Sequence, residues 1–196
     1  MADMRSIEER PSAPSAWYLR APRVVKRFSG NERGVTAVEF AFTAPIFFLL
    51  LFAVIESCLQ FFAGQLLESA VDEVGRRVRT GQLNNTMTEQ QFKDEICAAT
   101  AILFTCAELD IDLQVAATFD ELDDPPLPVD GEVDHSAYSF TAPCPEQIAM
   151  ITASYEWPVF TNYVAAYLSD LNNGNALLNA IAVFRTEPYP AQGGGC

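Results

Sequence analysis

Sixteen consecutive residues, Phe40 to Ile55, carry no charge, and weaker apolar character continues to Ala63. A helix from about Val35 to Phe62, rising roughly 1.5 Å per residue, exceeds a hydrocarbon core of about 30 Å. The stretch predicts a helix that spans a bilayer with length to spare. It divides everything else in the chain into a part before the membrane and a part after it.

Charge assigns the sides. Residues 1–33 hold seven Lys/Arg against four acids, a balance of +3, whereas residues 57–196 hold five against twenty, a balance of -15. Lys and Arg gather on the side that stays in the cytoplasm, so the acidic remainder is expected to be exported. An acidic domain repels phosphates, which argues against nucleic acid as a partner. A cleavable secretory signal is the competing reading, with an apolar region of about 7–15 residues and a small-residue site behind it. Here the apolar run is longer, 33 residues precede Gly34, and no A-x-A site closes the run.

One carboxylate, Glu39, lies just inside the run, five residues after Gly34. A carboxylate in a membrane helix costs on the order of 2.5–3.5 kcal/mol at the bilayer centre and less near the interface. A cut between Gly34 and Val35 would free an amine one helical turn from Glu39, and opposite charges would then offset much of that cost. In a bundle of such helices, the amine of one subunit would meet the carboxylate of the next and set their register. Without processing, Glu39 would be an interfacial carboxylate and Gly34 a flexible residue at a helix start.

The pattern of basic leader, Gly34, four residues, Glu39 and apolar helix resembles the type IV pilin-like proteins. More narrowly, "AVEFAFTAPIFFLLLFAVIE" followed by "GRRVRTGQL" resembles the TadE-like pseudopilins of tight-adherence (Flp) pilus systems. The resemblance covers residues 33–83 and implies cleavage between Gly34 and Val35 by a prepilin peptidase, with Glu39 as the fifth residue of the mature chain. It also implies a place in the bacterial inner membrane, a periplasmic head, and other pilins and pilus assembly proteins as partners. The leader, with "RPSAPSAWYLRAPR", is longer than a minimal leader needs. Pro45 removes a backbone donor and predicts a kink or a loosened turn, with Thr43 or a neighbouring helix satisfying the freed carbonyl.

Beyond the span, Leu59, Phe62, Leu66, Ala70, Val74 and Val78 recur at spacings of three and four, which continues the helix into water as far as Thr80. Gly81 supplies a stop, and Arg76, Arg77 and Arg79 suit the carboxyl end of the helix dipole. Thr88 and Gln91 have capping-box spacing for a second helix with Phe92, Ile96, Ala99 and Leu103 on one face, ending near Thr105–Cys106. The period then changes to two in "ELDIDLQVAATF". "QIAMITASYEW" reads as a more evenly apolar central strand and "ALLNAIAVFRTEP" as a third, with a short helix around Tyr163–Leu168 between them. The fold class is α+β: a single amino-terminal membrane helix, then a small antiparallel sheet packed on helices. The expected organisation is a basic leader over 1–34, a transmembrane helix over 35–62, its extension over 63–81, and an exported domain over 82–196. Within that domain, residues 120–145 hold seven acids and five prolines and read as a long solvated loop.

Cys58 reads as a free, packed thiol at the far membrane edge. Cys97, Cys106, Cys144 and Cys196 would all reach an oxidising compartment, where four cysteines allow three pairings. Cys97 with Cys106 is the most economical, which leaves Cys144 with Cys196 by elimination. No C-x-x-C pair occurs and His135 is the sole histidine, so zinc is not expected. The acidic loop lacks the ligand alternation of an EF-hand, so calcium is not expected either. No nucleotide loop, G-x-S-x-G or H-E-x-x-H appears. The chain therefore reads as a non-enzyme, with no cofactor, no small-molecule substrate and no catalytic residue. The alternative to an assembly subunit is a single-pass anchored binding module whose acidic head recognises a basic partner or a cation.

Overall fold

A computed structural model of the chain describes residues 34–83 and 86–190. The leader up to Arg33 and the tail with Cys196 lie outside the described residues. Helix α1, Val35–Arg79, is continuous over 45 residues and passes through Pro45. The chain divides at Phe48/Leu49 into two compact units.

In the first unit the helix exposes apolar side chains on every side, including Phe40, Phe42, Ile46 and Phe47. The Thr43 hydroxyl donates to the Glu39 carbonyl at 3.0 Å and lies 3.3 Å from that of Phe40. Pro45 frees the carbonyl four residues before it, at Ala41, so Thr43 serves the turn above rather than the orphaned group.

In the second unit, α1 buries Glu56, Ala63, Leu67, Ala70, Val71, Val74, Gly75 and Val78. This differs from the stripe read by spacing. Leu59 and Phe62 are exposed, and Leu66 is only partly covered. Small and β-branched residues face the head because the helix approaches closely there. A methyl group on Gly75 would lie 3.2 Å from the Phe184 ring. The helix ends in a Schellman motif: Gly81, at φ 74°, donates to Val78 and Gln82 donates to Arg77.

Helix α2, Glu89–Thr100, starts on a complete capping box between Thr88 and Gln91. Arg77 clamps the two helices together through both oxygens of Glu95, at 2.5 and 3.3 Å. The helix stops at Thr100, about a turn earlier than its apolar spacing suggests. Leu103 and Phe104 both donate to the Thr100 carbonyl, which turns the chain. Phe104 then enters an aromatic cluster, 4.7 Å from the Tyr155 ring and 5.9 Å from Trp157.

Strands β1 (Leu109–Ala116), β2 (Ile148–Trp157) and β3 (Ala176–Arg185) form an antiparallel sheet in the order β1-β2-β3. Leu109 pairs with Tyr155, and Ile151 with Ala182. Nine of the ten β2 residues are buried, as its even apolarity predicts for a central strand. A short helix α3, Asn162–Leu168, lies between β2 and β3. The core joins Leu67, Val71 and Val74 of α1 and Phe92 and Ile96 of α2 to Leu113 and Ile151 of the sheet.

The acidic insert is not simply a solvated loop. Ser139 and Thr141 bond the backbone of Leu113 at 2.8 and 2.9 Å, in a parallel bridge along the outer edge of β1. Asp112 is fully buried beneath this strap, accepting from the Ser139 amide at 2.8 Å, its hydroxyl at 3.0 Å and Gln114 Nε2 at 2.7 Å. The strap satisfies edge groups of β1 that would otherwise offer themselves to another strand. Burial pushes the Tyr138 phenol above its ordinary value, and Asp110 and Asp112 add to the effect. Further along, bonds from Ser136 hold Asp134 below the usual carboxylate range.

Candidate functional site

Gly34 immediately precedes α1, and Val35 is its first residue. Glu39 lies one turn on, exposed. Its backbone carbonyl is engaged by Thr43, but among the described residues no group bonds its carboxylate. Large apolar side chains surround it, Val35, Val38, Phe40 and Phe42, all exposed. In water this surface is unfavourable; in lipid or against other apolar helices it is not. One helix among the described residues is long and apolar enough to cross a membrane, and it is this one.

The cysteines occupy the second unit. Cys97 and Cys106 are joined in a disulfide with Cα atoms 5.6 Å apart, tying the end of α2 to the turn before β1. Cys144 is disulfide-bonded, while Cys196 lies outside the described residues. Cys58 is free and exposed rather than packed. His135 is exposed and places Nδ1 2.8 Å from Asp110. Among the described residues no three His, Cys, Asp or Glu side chains gather to hold a metal.

Sequence reasoning missed Glu56. This carboxylate closes the uncharged run, yet it is only 6% exposed. Its Oε1 accepts the amides of Phe160 and Thr161, the latter at 3.2 Å, and its Oε2 is buried without a partner. The signal available was its phase: Glu56 falls seven and fourteen residues before the buried Ala63 and Ala70, on the face that turns to the head.

Over this exposed apolar helix, whose one early acid bonds no group among the described residues, the sequence is similar to a known family. Residues 34–76 match the model of the TadE-like protein family. Over these residues the helix is similar to that family. The match begins at Gly34 and ends at Arg76, within α1, so the sheet and α2 lie outside the TadE-like segment. No curated protein and no solved structure matches the chain. The TadE-like family points to tight-adherence pilus assembly and, with the apolar helix, to membrane anchoring.

Proposed function

We propose that the chain is a minor pseudopilin of a tight-adherence (Flp, type IVb-like) pilus, cut between Gly34 and Val35 by a prepilin peptidase. It sits in the inner membrane with its amino end cytoplasmic and its head periplasmic, packed against other pilins through α1. One observation carries this reading. The family match begins at the proposed cleavage glycine, and the fifth residue after it is an acid whose carboxylate has no partner among the described residues, set among exposed apolar side chains. The resemblance also implies that the major pilin of such a system is little more than the helix, so the α+β head suits a minor subunit.

The anchored binding module is less well supported. The acidic cleft lined by Glu108, Asp110 and Glu156 is already bonded internally. Tyr155 donates to Glu108 at 3.1 Å, His135 meets Asp110 at 2.8 Å, and Asn173 donates to Glu156 at 2.7 Å.

Amino-terminal sequencing of membrane-extracted protein tests the proposal. The native chain is expected to begin at Val35, and a Gly34→Leu variant to retain its leader. A native chain that keeps residues 1–34 would overturn the processing, and with it the pseudopilin assignment.

A further inference from the structure

The segment from Trp157 to Leu171 joins β2 to the turn before β3 and carries a single charge, Asp170. The head around it is strongly acidic. Its large exposed side chains are aromatic: Phe160 is 75% exposed, Tyr163 75% and Tyr167 89%. Tyr163 and Tyr167 are four residues apart in α3 and share one face, while Val164 turns inward and is buried.

Glu56 holds this segment in place. By accepting both the Phe160 and Thr161 amides, it pins the start of the segment to α1. The pinned cleft is lined by Phe52, Ile55 and Leu59 of the helix together with Trp157 and Phe160. Within the second unit, the exposed apolar side chains Phe52, Ile55 and Leu59 of α1 therefore adjoin the aromatic segment. The level along the helix also fits. A span of about 20 residues crosses a hydrocarbon core, and one placed at the amino end of the 35–62 stretch ends around Val54–Ile55, next to Glu56.

We infer that Phe160, Tyr163 and Tyr167 form a membrane-interface seat, through which the head rests in the headgroup layer of the bilayer its own helix crosses. This rests on the reading of α1 as a membrane span. Tyrosine suits the site because its ring partitions into the interface while its hydroxyl stays hydrated. Lys and Arg are missing from residues 157–171, so the seat uses apolar and amphipathic contact rather than attraction to anionic lipid. Glu56 accepts amides that would otherwise face the lip of the hydrocarbon unpaired, where each unsatisfied group is costly.

The test uses the full chain carrying Trp17→Phe, one protein per phosphatidylcholine nanodisc, with bromine on the upper acyl chain as quencher. Single tryptophans are added at three sites, and the emission of native Trp157 is subtracted using the Trp17→Phe parent. Phe47→Trp reports the span, Val129→Trp the acidic insert, and Tyr167→Trp the seat. Tyr167→Trp is expected to lose most of its emission in brominated discs and to emit at shorter wavelength than Val129→Trp, which stays unquenched. Adding Glu56→Ala is expected to weaken that quenching. If Phe47→Trp is quenched while Tyr167→Trp behaves like Val129→Trp, the seat is wrong and the aromatic face belongs to a protein partner. An unquenched Phe47→Trp removes the span reading and the seat together. Unchanged quenching in the Glu56→Ala background would overturn the pinning role of Glu56.

Discussion

Asp112 sits in a strand whose alternation, Leu109, Ile111, Leu113, Val115, marks it as an outward polar residue. It does point away from the core, but the outward face at this edge is covered. Its buried carboxylate takes bonds from Ser139 and Gln114, and charged acceptors of this kind contribute about 1.5–3 kcal/mol each. Asp112→Ala should destabilise the head by about 1–3 kcal/mol, since the Ser139 amide loses its acceptor. Asp112→Asn, which keeps one acceptor oxygen, should lose less. Denaturant unfolding of the two variants checks the order, and early proteolysis within residues 120–145 of Asp112→Ala would show that the strap has come free. The phase of Glu56 shows the face it shares with Ala63 and Ala70, but neither Asp112 nor Glu56 discloses in the sequence which distant groups it bonds, for one reason. Ser139, which anchors the strap on Asp112, lies 27 residues away and the Phe160 amide on Glu56 lies 104 away, and single-residue chemistry says nothing of such distances.

At the level of elements the legibility is much better, because periodicity and capping are local. The three strands lie where alternation and even apolarity place them, and the capping box at Thr88 forms as its spacing predicts. The errors fall where tertiary contact overrides period. In α1, Leu59 and Phe62 keep helical spacing yet stay exposed, since the head covers the Ala63/Leu67 face instead. In α2, Leu103 continues the stripe beyond a helix that the chain has already left at Thr100. The disulfide between Cys97 and Cys106 spans that departure, its ends nine positions apart in sequence. Closing a loop of this size should stabilise by roughly 2–3 kcal/mol. The double variant Cys97→Ser/Cys106→Ser is therefore expected to unfold at lower denaturant with an unchanged slope against concentration. A variant as stable as the native chain would mean that the bond only records proximity.

For the whole molecule, the decisive property is the division of labour between an apolar helix and an acidic head, and Glu39 is where the two requirements on the helix conflict. Insertion alone favours an apolar residue at this position. Removing the carboxylate lowers the insertion cost by at most about 2.5–3.5 kcal/mol, and by less this near the interface. A helix with an uncharged run from Phe40 to Ile55 has apolar length enough to insert either way. Glu39→Val should therefore leave the amount of protein in the membrane fraction unchanged or slightly raised. On the proposed reading, assembly makes the opposite demand. A row of parallel apolar helices has no preferred axial register, and a carboxylate facing the amine that cleavage after Gly34 would free on a neighbour would supply one. In cells, Glu39→Val is expected to reduce pili sharply while insertion and removal of the leader persist. Glu39→Gln, similar in shape but uncharged, should fail in the same way if charge sets the register, and should assemble if a hydrogen bond suffices. Pilus counts by electron microscopy, beside immunoblots of the membrane fraction, separate these cases. Unchanged pili in Glu39→Val would mean that the acid is tolerated in the helix rather than used by it.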